Sequence, residues 1–215
     1  MSMSGFTLQS AERRYPHAMK TSKRVLPVAA ALALGLAASG CGFQSIPQSE
    51  NGVSAAWGEV QNQYQRRADL VPNLVETVKG YATHERETLE GVMAARAKAT
   101  QVQLNVSDLT PENLKRFEDA QAGLRSALGR LMAVAESYPQ LKANENFRDL
   151  QVQLEGTENR IAVARRRYID SVQQFNNLVT VPPTSWTNSM LYKKQPKPQF
   201  SATTANAEQA PKVKF

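Results

Sequence analysis

The stretch YQRRADLVPNLVETVKGYATHERETLEGVMAAR, residues 64–96, decides how this chain folds. Within it Val71, Val75, Val78, Ala82, Leu89 and Val92 recur in steps of three, four and seven, which places them on one stripe of a helix with a polar face opposite. Arg66, Arg67 and Asp69 crowd against Pro72 and Asn73 at its start. Proline lacks a backbone donor and pushes its predecessor away from helical geometry. The pattern therefore predicts a break near Leu70, with Pro72 in the first turn of a new helix.

Working outward, the same periodicity extends in both directions. Upstream, a first helix over residues 50–68 carries Val53, Trp57, Val60 and Tyr64 at heptad-like spacing, with Trp57 and Tyr64 as core residues that keep a polar tip. Downstream, residues 105–111 read as a turn in which Thr110 caps a helix and Pro111 takes its first position. That third helix carries Leu114, Phe117, Leu124, Leu128, Leu131, Ala135 and Tyr138, interrupted only by Gln121. Pro139 closes it, and Leu141 restarts the pattern. A fourth helix over residues 140–179 then succeeds it, with Phe147, Leu150, Leu154, Ile161, Ala164, Tyr168, Val172, Phe175 and Val179 on its seam. A helix of about 40 residues is roughly 60 Å long. The expected fold is all-α, an elongated antiparallel bundle of about four long helices over residues 50–181.

The flanks have a different character. Residues 1–18 show no periodicity and are expected to be an upstream extension, with translation starting at Met19. Lys20, Lys23 and Arg24 then precede the apolar run of residues 25–38, so residues 19–40 have the layout of a membrane-targeting segment. Ala38, Ser39 and Gly40 lead into Cys41, the sole cysteine, in the manner of a lipoprotein processing site. Cys41 is thus the expected lipid-attachment residue, with residues 41–49 as a tether. An uncleaved anchor is the competing reading, since no charged residue stands between positions 25 and 49. Either form puts the helical domain outside the cytoplasm, on the periplasmic side. Gly42 in place of an aspartate directs a Gram-negative lipoprotein to the outer membrane. The tail, residues 182–215, is expected to be largely irregular, with Trp186, Met190, Leu191 and Tyr192 available to cover a bundle end.

Charge and motifs exclude more than they propose. Of the net charge of +7, residues 1–40 contribute five cations and one acid, which leaves +3 for the remainder and gives no case for nucleic acid. Arg165, Arg166 and Arg167 spread over about 200° of a helix and cannot form one patch. His84-Glu85 lacks the second histidine that a zinc helix requires, and no phosphate loop or nucleophilic triad is present. The sequence therefore points to no metal, no cofactor and no enzyme.

The polar residues that remain are structural or recognitional candidates: Arg66, Arg67, Asp69, Pro72 and Asn73 around the proline, and Glu158, Arg165 and Tyr168 on the fourth helix. Asp69 is expected to pair with an arginine across the bundle, Arg165 foremost, and so to fix helix register.

Residues 66–85, R-R-x-D-L-x-P-N-L-V-x-x-V-K-G-Y-A-x-H-E, resemble the motif of the LemA family of bacterial membrane-associated helical proteins. The likeness continues through Leu89, Val92, Ala95 and Arg96. It includes Tyr138-Pro139-x-Leu141-Lys142-Ala143-Asn144 with Phe147 and Leu150, then Glu158-Asn159-Arg160-Ile161, the stretch from Arg165 to Tyr168, and Phe175-Asn176. It covers roughly residues 49–182. The resemblance implies a helical bundle held to a membrane by its N terminus. It leaves the precise biochemical role undefined. With no catalytic constellation in the sequence, the expected role is a non-enzymatic adaptor or scaffold, and since such proteins accompany membrane proteases an envelope partner of that class is expected. The alternative is a self-associating structural or sensing envelope lipoprotein.

Overall fold

The structure, a computed structural model, describes the backbone of residues 25–200 and the side chains of residues 43–200. The expected start at Met19, the cations Lys20, Lys23 and Arg24, the thiol of Cys41 and the end of the tail lie outside the described residues. The chain divides into two compact units, Met1–Gly40 and Cys41–Phe215. The described side chains all belong to the second.

Every regular element among the described residues is helical. Four are long: α1 (Val25–Lys79), α2 (Arg86–Gln101), α3 (Pro111–Glu136) and α5 (Glu145–Thr180). Four are short: α4 (Pro139–Ala143), α6 (Thr184–Thr187), a single π turn (Asn188–Tyr192) that continues it, and a 3₁₀ turn (Val106–Asp108) between α2 and α3. Among the described residues no helix is long and apolar enough to cross a membrane.

Helix α1 departs from the expectation twice. It continues through Pro72, where the sequence predicts a break, and through Pro47, in the segment read as a tether. A proline inside a helix leaves the carbonyl four residues earlier without its N–H partner. For Pro72 that carbonyl belongs to Ala68, and Arg96 of α2 donates its Nε to it at 2.8 Å. For Pro47 it belongs to Phe43, and the Tyr192 hydroxyl donates to it at 2.6 Å. Both orphaned acceptors are thus satisfied from elsewhere in the chain, which removes the main reason for the helix to stop.

The break falls instead at residues 80–85. Gly80 is a poor helix residue, and Ala82, fully buried, folds back with its N–H on the Val78 carbonyl at 2.8 Å. The expected fourth helix is also divided. Asn144 leaves the helical region and caps α5 by accepting from the Phe147 N–H at 3.0 Å, so α4 is a separate turn. Thr110 caps α3 in the same way, accepting from the Asn113 N–H at 3.2 Å, with Pro111 at the first position.

The long helices alternate in direction. Arg96 of α2 meets Ala68 of α1, and further back along α1 Trp57 Nε1 donates to Leu104 O, just after α2, at 2.8 Å. Arg67 of α1 meets Glu158 of α5, and nearer the start of α1 Trp57 packs on Tyr168 with ring centroids 5.4 Å apart. The buried side chains form two cores. One gathers Val53, Trp57, Val60, Tyr64, Phe117 and the second half of α5; the other gathers Val71, Leu74, Val78, Val92, Leu124 and Leu131.

The tail up to Phe200 has no regular secondary structure from residue 193 on, and it is docked firmly where its composition predicts a loose hold. Asn176 clamps the backbone of Lys197, donating to its carbonyl at 2.9 Å and accepting from its N–H at 2.8 Å. The Tyr168 hydroxyl donates to Pro198 O at 3.0 Å. Phe200 is buried against Tyr168 and Trp57, with ring centroids 5.2 and 6.1 Å away. Trp186, Met190 and Leu191, by contrast, stay largely exposed.

Candidate functional site

The inner seams of α1, α3 and α5 each carry a polar residue at an apolar position, and those of α1 and α3 meet in one layer. On α1 the series Trp57, Val60, Tyr64, Arg67, Val71 steps by three and four, so Arg67 points inward with its neighbours and is only 2% exposed. On α3 Gln121 stands between Phe117 and Leu124, and on α5 Thr157 stands between Leu154 and Ile161; both are buried. Glu158 comes next after Thr157 and supplies the carboxylate.

The contacts are charge-assisted and close. Arg67 Nη1 donates to Glu158 Oε1 at 2.8 Å, and its Nη2 donates to Gln121 Oε1 at 2.6 Å and to Gln121 O at 3.1 Å. The guanidinium lies 5.0 Å from the centre of the Tyr64 ring. Gln121 Nε2 in turn donates to Ala99 O at 3.2 Å, one of the carbonyls that the last turn of α2 cannot satisfy for itself. One side chain thereby ties α1, α3 and α5 directly, and α2 through Gln121. Arg67 Nε is buried without a hydrogen-bond partner. Truncating one partner of a buried pair commonly costs about 3–5 kcal/mol, because the other charge is left uncompensated.

A second pair flanks the layer. Arg165 Nη2 donates to Glu118 Oε1 at 2.9 Å, and its guanidinium lies 4.3 Å from the Phe200 ring centre. Arg165 also hydrogen-bonds Tyr64. Burial raises the Tyr64 phenol above its ordinary value, outweighing the two nearby arginines, which lower it. Burial likewise raises the Tyr168 phenol.

The structure separates the candidates read from the sequence. Arg67, Glu158, Arg165 and Tyr168 face inward. Arg66, Asp69 and Asn73 lie exposed on the far side of α1, and Asp69 accepts from Gln65 Nε2 at 2.7 Å within its own helix. The expected pairing of Asp69 with Arg165 is therefore replaced by Arg67 with Glu158. The cation sits on α1 and the anion on α5, because Arg67 and not Asp69 shares the phase of Tyr64 and Val71. Gln121, Arg96, Glu118 and Asn176 are absent from the candidates read from the sequence. Gln121 leaves a signal there as the polar interruption of an apolar seam, and Arg96 and Asn176 stand within the family-like stretches quoted above without anything that marks their role.

The layer holds helices α1, α2, α3 and α5 together. Among the described residues no three His, Cys, Asp or Glu side chains gather as a metal site. An open groove of about 490 Å³ between residues 45–52 of α1 and the last turns of α5 is lined by uncharged residues including Ser45, Gln48, Ser171, Gln174 and Asn177.

Known proteins bear on this arrangement. The chain is 26% identical over 146 residues to Protein LemA of Metamycoplasma hominis, covering 68% of this chain and 62% of that protein. It is 33% identical over 72 residues to Magnetosome protein MamQ 2 of Paramagnetospirillum magneticum, covering 34% of this chain and 26% of that one. It is also 33% identical over 69 residues to Magnetosome protein MamQ of Magnetospirillum gryphiswaldense, covering 32% and 25%. The chain thus spans less than two thirds of the length of these relatives. The profile of the LemA family matches residues 56–215, which carries the likeness past residue 182 and through the docked tail. This chain belongs to the LemA family.

Proposed function

We propose that this LemA-family chain is a non-enzymatic helical adaptor of the bacterial cell envelope. It is anchored at its N terminus through acyl chains on Cys41, and it presents its helical domain outside the cytoplasm. In this reading the four long helices make one elongated antiparallel bundle. The observation that carries it is the internal use of charge: the buried Arg67 is spent on Gln121 and Glu158, which supports a rigid presenting surface over a reactive site. The partner is an envelope protein, a membrane protease being one class. Crosslinking in cells, followed by identification of the captured protein, tests this. A defined envelope partner is expected, and a chain that captures none, or that turns over a substrate, contradicts the reading. Labelling with a fatty acid tests the anchor, with label on the wild type and none on Cys41→Ser as the expected result.

A second reading is favoured by Val152 and Val163, 66% and 51% exposed and eleven residues apart on one stripe of α5. In it the chain is a structural or sensing component that self-associates along α5. Sedimentation separates the two, since a stable oligomer of the chain alone supports self-association and a monomer supports the adaptor.

A further inference from the structure

Trp186, Met190 and Leu191 are 65%, 79% and 60% exposed, on a segment that is otherwise firmly held. Asn188, buried beneath them, donates to Val179 O at 3.3 Å and to Lys194 O at 3.0 Å, and accepts from the Lys194 N–H at 2.9 Å. Tyr192 donates to Phe43 O, and its ring centre lies 6.3 Å from that of Phe43, itself 59% exposed. Spacings of four and five through α6 and the π turn put Trp186, Met190 and Leu191 on the side opposite Asn188. The rigid anchoring of an apolar tip in water marks a surface built for a partner.

We propose that this tip docks on the surface of the lipid bilayer, with Trp186, Met190, Leu191 and Phe43 entering the interface. This rests on the anchoring proposed above. Cys41 precedes Phe43 by two residues, a reach of at most about 7 Å, so an acylated Cys41 keeps the tip at the membrane. The composition fits lipid: a tryptophan with long apolar neighbours, the exposed Lys193 beside them, and no acidic residue anywhere in positions 181–200. Tyr192 fixes the tip to α1 through the carbonyl that Pro47 leaves free. The same bond that repairs the helix therefore orients the docking surface.

The test uses the full acylated chain in phosphatidylcholine–phosphatidylglycerol vesicles, with and without brominated acyl chains. Trp57, 1% exposed, is the other tryptophan, so the difference between wild type and Trp186→Phe reads Trp186 alone. The expected result is that the protein floats with the vesicles and that brominated lipid removes most of the Trp186 emission. Met190→Glu with Leu191→Glu, both exposed and so neutral to folding, should abolish that loss while the protein still floats. Flotation with Trp186 unquenched by lipid and open to aqueous iodide overturns the docking surface alone and leaves the tip to a protein partner. Failure to float overturns the anchor and the docking surface together.

Discussion

Pro72 and Pro47 pose the same problem to α1, and the chain solves it in two different settings. At Pro72 the orphaned Ala68 carbonyl lies among buried residues and receives a charged donor, Arg96, from the neighbouring helix. At Pro47 the orphaned Phe43 carbonyl lies at an exposed residue and receives a neutral phenol, Tyr192, from the tail. Water can replace the donor at the second place and hardly at the first. The difference teaches that a helix-breaking residue is judged by what happens to the carbonyl it abandons. Where burial excludes water, that donor becomes part of the fold; where it does not, the donor is free to serve mainly as a positioning contact.

The largest effect is expected one turn from Pro72, where Arg67→Ala strands Glu158 and Gln121. A loss of about 3 kcal/mol in urea unfolding is expected, at the low end for buried pairs because Glu158 is partly exposed. Arg96→Ala comes next, at about 1–3 kcal/mol for an unsatisfied buried acceptor. Tyr192→Phe is expected to cost only about 0.5–1 kcal/mol in the same assay, as water reaches Phe43 O. A Tyr192→Phe loss equal to that of Arg96→Ala would erase the distinction between the two proline sites.

Alkaline pH probes the tail separately. Burial raises the phenols of Tyr168 and Tyr64 above their ordinary value of 10.0. A group whose folded value is raised stabilises fully below the unfolded value, and that contribution is lost as pH rises past it. Stability should therefore be level up to about pH 10 and fall above it. In Tyr168→Phe, which also lacks the bond to Pro198 O, the fall should be shallower. A profile with no alkaline fall would show that these phenols ionise without cost.

Much of the fold is legible in the sequence because seams are local. The inward residues of α3 and α5, the Thr110 cap and the first position of Pro111 all come from steps of three and four and from short-range hydrogen bonding. The continuity of α1 is legible in a weaker form, since Tyr64, Arg67, Val71, Val75 and Val78 keep one phase across Pro72. The proline rule outweighs that phase only while the long-range donor, Arg96, is out of view. Position beside the proline favours Asp69 over Arg67 as the buried charge, whereas the same phase places Arg67 inside. Asn176 stands in a family-like stretch, but its clamp on Lys197 is not legible, because an amide that binds backbone imposes little on the sequence it holds.

Arg96 is needed because Pro72 is there, and a double-mutant cycle of Pro72→Ala with Arg96→Ala, read by urea unfolding, tests that dependence most directly. Alanine at 72 restores an N–H for Ala68 O, so Arg96→Ala should cost about 1–3 kcal/mol in the wild-type background and well under half of that beside Pro72→Ala. An equal cost in both backgrounds would contradict the dependence.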